Sequence, residues 1–436
     1  MLGCGAALIA FALALSAVPV RAQTLRGSVE RALRNFPEVR SAQANRAAVA
    51  ETVPQAFAGL LPSLDGSFGR GRERSNNSIT RPQRDGPWVG LNRQEAELTL
   101  SQLIYDGGAT WNAMKRQQAH ALSAAEQVES LGESVALRTA QAFFDVLRLR
   151  ALVEIAEQNL AVHRRTLEQV ASRTEKGLGR RSDDRQTEAR VALASSNLEQ
   201  LRGQLDEAEA AYRHLTGAFP GQLLRPEPPA SALPRSIDDA VQHARANHPA
   251  VRAAQAEIDA AAADRESARG RLLPRLTLEL GATNDRDLDG VPGLNADRTA
   301  MLRLRHNFFR GGADVARISE ADARRYEAIE QLARAQNDIE RDVRQAWQSL
   351  AAERSRLAVL RNYSEASAEV VEAYRAQFRI GQRSLLDVLN AENENFTARS
   401  NYLTSAYAVD TGVYRLLAVM GRMLESLELK QANKTS

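Results

Sequence analysis

The sequence predicts a mixed fold in which long antiparallel helical hairpins join a few β-strands, and this plan occurs twice along the chain. Three observations lead to this prediction: the composition, two very long segments without proline, and internal sequence matches. Of the 436 residues, 25% are charged and only 5% are aromatic, and the net charge is +3. Many of the others are Ala, Leu and Gln, which are strong helix formers. This composition favours long packed helices over a compact globular core.

The N-terminal 22 residues are typical of a signal peptide. An apolar run over residues 6–18 is too short to span a membrane as a helix, and residues 20–22 (VRA) fit a cleavage site that leaves Gln23 first. The only cysteine, Cys4, lies in this segment, so the mature chain would form no disulfide. The sequence therefore predicts an exported protein. It is either soluble outside the cytoplasm or held in a membrane by β-strands.

Internal matches divide the mature chain into two structural repeats. Residues 34–44 (RNFPEVRSAQA) return as residues 246–256 (ANHPAVRAAQA), 212 positions later, and an LLP triplet recurs at the same offset. Further along, an offset of 204 relates several glycines and an aspartate. We expect a first repeat over 23–217, a Pro-rich linker over 218–236, a second repeat over 237–421 and a C-terminal tail over 422–436.

Each repeat contains the same predicted elements: short helices, two strands, a very long helix and a return helix. In the first repeat the strands are predicted at about 63–71 and 95–105, the long helix at 109–176 and the return helix at 182–216. In the second they are predicted at about 275–283 and 299–309, at 313–380 and at 384–420. The long segments contain no proline. At 1.5 Å per residue such helices would extend on the order of 100 Å, far more than a globular domain needs.

The predicted strands alternate apolar with polar side chains. In residues 275–282 (RLTLELGA) three leucines alternate with Thr277 and Glu279, and residues 63–71 (SLDGSFGRG) behave similarly. This period of two is typical of strands with lipid on one face and water on the other. Amphipathic hairpins on a soluble domain would show the same alternation. The signal peptide and the long polar segments at 72–87 and 284–297, expected as loops on an outer surface, favour the membrane interpretation.

Two hairpins provide only four strands, too few to close a membrane barrel. Because an open sheet edge is not tolerated in lipid, several chains must share one barrel, and these strands alone leave their number open. One Gly pair follows the second strand of each hairpin, at Gly107 and Gly108 in the first repeat and at Gly311 and Gly312 in the second. We expect them at the strand-to-helix joints, where the backbone direction changes sharply.

The duplicated plan, the DGG after a strand, the LLP before one, and residues 381–392 (GQRSLLDVLNAE) resemble the TolC-type outer-membrane channel proteins. The resemblance extends from Gln23 to about Gly421, and residues 91–109 are similar to the subgroup that serves type I secretion. It implies a homotrimer in the outer membrane of a Gram-negative bacterium. Three chains would share a 12-stranded β-barrel, and their helices would form an α-barrel tunnel in the periplasm.

The function implied by the resemblance is that of a channel-tunnel in a tripartite export system. Unfolded protein would pass from an inner-membrane transporter of the ABC type and a periplasmic adaptor (membrane fusion) protein to the exterior. A multidrug or heavy-metal efflux duct of the same fold is the alternative within this class. A periplasmic coiled-coil scaffold without a pore is the alternative from a different class.

The resemblance also implies a narrow periplasmic entrance near the helix turns. The matching positions in this chain are Asp183, Phe378, Arg383, Asp387 and Asn390, and Asp184 is adjacent to the first of them. Phe378 stands where tyrosine is common and Asn390 where a second acid is common, so this ring would carry fewer charges unless Asp184 compensates. Gly177 and Gly381 would lie at the tips that dock the adaptor. Aspartates at helix starts also occur simply as caps, which is the alternative role for Asp183 and Asp387.

The sequence contains no pattern typical of catalysis or cofactor binding. The six histidines have no metal-ligand spacing, and we see neither a nucleophile elbow nor a phosphate loop. We therefore predict no enzyme activity, no metal and no cofactor. No basic patch is interleaved with aromatic residues, so nucleic acid is not expected as a partner. Trp88, Tyr105, Phe308 and Phe309 lie near strand ends, where they could form a belt at the membrane interface or pack at the joints.

Overall fold

The computed structural model describes residues 23–81, 88–177 and 180–429. The predicted signal peptide, part of the polar segment 72–87 and the end of the C-terminal tail lie outside these residues. Among the described residues, none of the helices combines the length and the apolar character that crossing a membrane requires.

Both repeats run from short helices through strands to a long helix and a return helix, and the first repeat additionally contains α3, β2 and β3. The first repeat comprises α1 (Leu25–Asn35), α2 (Pro37–Ala50), α3 (Thr52–Ala58), β1 (Ser63–Arg70), β2 (Glu73–Ser75), β3 (Val89–Leu91), β4 (Gln94–Tyr105), α4 (Ala109–Glu175) and α5 (Arg181–Thr216). The second comprises α6 (Ile237–Asn247), α7 (Pro249–Gly270), β5 (Arg275–Leu288), β6 (Val291–Arg305), α8 (Ala313–Arg379) and α9 (Leu385–Val419), followed by α10 (Met423–Ser426). The helices α4 and α8 have 67 residues each, which corresponds to a length on the order of 100 Å.

The two long hairpins, α4 with α5 and α8 with α9, pack along their length, and α4 also contacts α9. The main hydrophobic core lies where the short helices α1 and α6 join them. At its centre Phe144 contacts Phe143 edge-on at 5.8 Å and Tyr414 at 5.6 Å between ring centroids. Within the described residues, the apolar clusters beyond this core are small, because a pair of helices cannot enclose a wide interior.

The main sheet is antiparallel with strand order β1-β4-β5-β6. Its register aligns apolar residues across all four strands: Leu64 lies opposite Leu100, Leu100 opposite Leu280, and Leu280 opposite Ala300. The face that carries Leu64, Leu100 and Leu280 is therefore apolar near the strand-to-helix joints, with Arg70, Arg286 and Arg298 further from them, and the other face is polar. The apolar part agrees with the alternation in the sequence.

The second hairpin differs from the sequence prediction in its limits. The strand predicted at about 275–283 continues to Leu288, and the strand predicted at about 299–309 runs from Val291 to Arg305, so residues 284–297 are not a loop. Asp289 (φ 53°) and Gly290 (φ 82°) form a tight two-residue turn. Asp-Gly in this conformation matches the twist of antiparallel strands, so pairing continues up to the turn. The strand ends at Arg305 because its partner strand begins opposite, at Arg275.

The polar segment 72–87 of the first hairpin also differs from the predicted loop. Its start forms β2, which pairs with β3 in a separate two-stranded sheet. Next to this small sheet, the Asn77 side chain donates to the carbonyl of Asp289, in the turn of the second hairpin, at 2.8 Å. The two hairpins are therefore connected at this end of the main sheet as well as by the pairing of β4 with β5.

The Gly pairs lie at the strand-to-helix joints, and all four glycines have positive φ. Gly108 and Gly312 are the N-caps of the long helices α4 and α8. Gly107 is additionally crowded, since a Cβ atom there would lie 2.3 Å from the carbonyl oxygen of Gly270, whereas a Cβ atom on Gly311 would meet nothing within 4 Å. The first joint thus needs glycine for both its backbone angle and its close contact with α7.

Gly107→Ala and Gly311→Ala separate these two requirements. Both place a Cβ atom on a backbone with φ near 60–70°, which costs about 1–2 kcal/mol. Only Gly107→Ala also forces a backbone clash, for which overpacking adds about 1–3 kcal/mol. We expect a clearly lower melting temperature for Gly107→Ala than for Gly311→Ala in circular dichroism of the detergent-solubilised protein. Equal melting temperatures would contradict the role of the close contact.

The start of α7 depends on a neutral histidine. The Nδ1 atom of His248 accepts a hydrogen bond from the backbone N–H of Ala250 at 3.1 Å and so caps the helix. Burial, and secondarily the nearby Arg252, lower the pKa of His248 to about 4. Protonation would remove the acceptor and place a charge in a poorly solvated site.

This cap makes a contribution to stability that depends on pH. Because the pKa of His248 is lower in the folded chain than its ordinary 6.5, its contribution is complete above pH 6.5 and is lost as the pH falls towards about 4. His248→Asn keeps a capping oxygen that does not titrate over this range. We expect thermal melts from pH 7 to pH 4 to decline less steeply for His248→Asn than for the unaltered chain. Parallel declines would contradict the assignment.

Candidate entrance at the helix tips

The ends of four long helices form the tip of the molecule, at the far end of the helices from the sheet. Gly177 follows α4 and Gly381 follows α8, with φ of 72° and 75°. A Cβ atom on either would meet nothing within 4 Å, so the backbone angle alone favours glycine. The N–H of Gly177 donates to the carbonyl of Thr174 at 2.9 Å, and that of Gly381 donates to the carbonyl of Phe378 at 3.1 Å. Both glycines therefore terminate the long helices.

Asp387 forms a capping box with Ser384 at the start of α9. Its backbone N–H donates to Ser384 Oγ at 3.2 Å, while its Oδ2 accepts from the Ser384 N–H at 3.2 Å and hydroxyl at 2.8 Å. These hydrogen bonds, with a smaller contribution from Arg383 at 3.9 Å, hold the pKa of Asp387 below its usual range. The carboxylate thus serves as a helix cap and remains an exposed negative charge at the tip.

Phe378 and Arg383 lie before and after the turn at Gly381 that joins α8 to α9. The Arg383 guanidinium lies 4.2 Å from the centre of the Tyr374 ring, and its Nε donates to Gln377 Oε1 at 3.0 Å. Phe378 packs against a small apolar cluster of Val170, Leu385 and Leu389. Since Val170 belongs to α4, this cluster joins the two hairpins close to the tip. Phe378 therefore has a packing role that needs no hydroxyl group.

Asp183 and Asp184 occupy the first turn of α5, where negative charge is favourable. Asp184 Oδ1 accepts from the Thr174 hydroxyl at 3.1 Å and ties α5 to α4. Asp183 Oδ1 accepts from the neighbouring Ser182 hydroxyl at 3.3 Å. Within the part of the chain that the structure describes, Asp183 and Arg383 form no ion pair with each other. The predicted entrance residues thus all lie near the helix ends, where each contacts residues of its own helix or of a neighbouring helix.

Asn390 connects the two hairpins through a residue that the sequence did not suggest. Its Oδ1 accepts from Arg190 Nη2 of α5 at 2.9 Å. Two residues further along α9, Glu392 is buried, with 7% of its side chain exposed, and pairs with Arg375 of α8 at 2.5 Å. Burial raises the pKa of Glu392, and Arg375 opposes that shift. Arg375 lies 6 residues before Gly381 and Glu392 lies 11 residues after it, so their spacing in the sequence does not by itself identify the pair.

Among residues 23–81, 88–177 and 180–429, no group of three or more histidine, cysteine or carboxylate side chains could hold a metal ion. At the tip, acids and arginines instead form short-range pairs. The hydrogen bond between Asn390 and Arg190 and the apolar cluster of Val170 with Phe378 connect the two hairpins. Such an arrangement can hold helix ends together and present charge to a passing solute.

Comparison with known proteins places this architecture among outer-membrane channels. The family profile described as outer membrane efflux protein matches residues 28–218 and 240–422, which correspond to the two repeats. The outer membrane efflux protein BepC of Brucella suis is 26% identical, over 92% of this chain and 86% of BepC. The alkaline protease secretion protein AprF of Pseudomonas aeruginosa is 25% identical, over 93% of this chain and 86% of AprF.

A solved structure shows the same fold at lower identity. The open state of the Neisseria gonorrhoeae MtrE outer membrane channel superposes with a TM-score of 0.77 at 18% identity, covering 92% of this chain and 89% of that one. The predicted fold class and the resemblance to outer-membrane channels are therefore confirmed, and so is the predicted location in the outer membrane.

The buried Arg375–Glu392 pair provides a stability test of the tip. Arg375→Ala leaves the Glu392 carboxylate buried without its cation, whereas Glu392→Gln keeps an oxygen that accepts from Arg375. Breaking a buried pair costs about 3–5 kcal/mol, and Arg375 is 37% exposed, so we expect about 2 kcal/mol for Arg375→Ala.

This loss should shrink in acid, since Glu392, whose pKa is already raised, becomes neutral as the pH falls. Thermal melts of both variants at pH 7 and pH 4.5 measure the difference. The interpretation would be contradicted if Glu392→Gln lost more stability than Arg375→Ala at pH 7. It would also be contradicted if the loss of stability in Arg375→Ala were larger at pH 4.5 than at pH 7.

Proposed function

This chain belongs to the outer membrane efflux protein family, and from that premise we propose that it is the outer-membrane duct of a type I secretion system. It would pass unfolded protein outward in a tripartite system with a periplasmic adaptor protein and an inner-membrane ABC transporter. The observation that supports a duct is the pair of 67-residue helices that leave one end of a small amphipathic sheet. Helices on the order of 100 Å long can carry a passage far beyond the membrane.

Secretion is favoured over small-molecule efflux by two similarities. Residues 91–109 resemble the secretion subgroup, and AprF is named for protease secretion. BepC is named as an efflux protein, so a multidrug or heavy-metal efflux duct of the same fold is the second candidate. A periplasmic scaffold without a pore is disfavoured by the membrane location.

The strand count requires several chains to share one barrel, and the family resemblance favours a homotrimer. Each chain has a main sheet of four strands whose two outer strands, β1 and β6, have one unpaired edge each. Three chains would pair these edges and close a 12-stranded barrel of lipid-facing strands. The tips around Gly177 and Gly381 would dock the adaptor. The entrance would be narrowed by Asp183, Asp184, Phe378, Arg383, Asp387 and Asn390.

The role of charge at this entrance can be separated from helix capping. If the Asp387 carboxylates contributed by the several chains restrict the passage, Asp387→Ala should raise single-channel conductance in planar bilayers. Ser384→Ala is the matched control, because it breaks the same capping box and keeps the charge. We expect higher conductance only for Asp387→Ala. An unchanged conductance, or an equal rise in both variants, would exclude a charge-based restriction.

The proposed cargo class is tested by the secreted proteome of a strain that lacks this chain. Loss of one or a few proteins from the medium, restored by the gene in trans, is the expected result. An unchanged secreted proteome together with increased sensitivity to drugs or metal ions would contradict type I secretion and favour the efflux duct.

A further inference from the structure

The polar face of the main sheet separates positive from negative charge along its length. Its register places Arg275 directly opposite Arg305, and Arg303 lies on the same face opposite Thr277. We call Arg275, Arg303 and Arg305 the arginine band. Because β5 begins at Arg275 and β6 ends at Arg305, the band lies at the end of the sheet that joins the helices.

The arginine band is only partly neutralised. Glu279 accepts from Arg303 Nε at 2.8 Å, and its other oxygen lies 3.8 Å from Arg305 Nη2. Arg275 has no acidic partner among the described residues. One carboxylate thus pairs with two of the three guanidinium groups, and like charges directly opposite each other on neighbouring strands are unfavourable. An anion in the adjacent solvent would relieve this repulsion.

The charge changes sign towards the other end of the same face. Asp65, Glu97 and Asp297 are exposed there, at register positions that alternate with the apolar face. Glu95, further out, is paired with Arg93. The positive potential is therefore confined to the region near the strand-to-helix joints.

The arginine band lies on the aqueous side of the sheet. The opposite face exposes Leu64, Leu98, Leu280 and Leu302, with 41–65% of each residue accessible. In an outer-membrane protein such a face meets lipid, and the polar face meets the water-filled interior. Whether that interior is a conducting passage rests on the proposed function.

We infer that the arginine band is a selectivity site that raises the preference of the passage for anionic permeants. Rings of arginine select anions in pores because fixed positive charge raises the local anion concentration. The ligand chemistry is the carboxylate group, carried either by acidic polypeptide segments or by small organic anions. The site lies at the opposite end of the long helices from the predicted entrance.

The test is the reversal potential of the purified protein in a planar bilayer under a KCl gradient. The band variant combines Arg275→Gln, Arg303→Gln and Arg305→Gln. We expect its chloride-to-potassium permeability ratio to fall severalfold. The fall should be largest in dilute salt, since the Debye length is about 30 Å at 0.01 M and about 3 Å at 1 M.

The matched control removes three arginines from the opposite face of the same sheet, with Arg70→Gln, Arg286→Gln and Arg298→Gln. This control should keep the permeability ratio of the unaltered protein. An unchanged ratio in the band variant, or an equal fall in the control, would overturn the inference. If the band variant does not assemble, Arg275→Gln alone should give a smaller shift in the same direction, and no shift would overturn it.

Two further arms identify the source of the carboxylate. Poly-glutamate or free glutamate is added on the side of the long helices, and current block is recorded. If only poly-glutamate blocks the current, and the band variant relieves this block, the site takes acidic polypeptide. If free glutamate also blocks the current, and the band variant relieves both blocks, the site takes small anions as well. Block that the band variant leaves unchanged would overturn the inference. Absence of any conductance in the unaltered protein would instead contradict the proposed function.

Discussion

The hydrogen-bonding requirement of the two sheet edges determines much of the architecture. The main sheet has four strands, and β1 and β6 each leave one row of backbone groups without a partner in the chain. In lipid such groups cost several kcal/mol each, so the edges must pair with other chains. A shared sheet brings the long helices of neighbouring chains side by side. The apolar clusters along α4, α5, α8 and α9 are small, as expected for helices that pack against further helices when the chains assemble.

The duplicated plan solves one geometric problem twice with different local means. Both joints use glycines with positive φ to turn a strand into a long helix. At the first joint the backbone also contacts α7 closely at Gly270, whereas the second joint is open. The tips show the same contrast. The second turn has a complete capping box at Ser384 and Asp387, and the first turn relies on Asp184 bonding to Thr174. Duplicated sequence thus preserved the backbone course and allowed side-chain contacts to diverge.

The sequence predicted the long helices closely, because proline-free segments and glycine ends are local signals. It failed over residues 284–297, where polarity suggested a loop. The Asp289–Gly290 pair in this segment is a local signal for a two-residue hairpin turn. At the tip, the entrance residues were identified by resemblance, and their bonding partners were not. Arg190 and Arg375 contact Asn390 and Glu392 only because separate helices pack together, and side-chain patterns along one helix do not reveal such pairs.

A single duct requires several copies of this chain to share one membrane-embedded sheet. Light scattering tests this by giving the mass of the detergent-solubilised protein, with the detergent contribution subtracted, on the same sample that is inserted into a planar bilayer. We expect three times the mass of the mature chain and stepwise ion conductance. A monomeric mass without conductance would contradict this expectation, because four strands cannot close a passage alone.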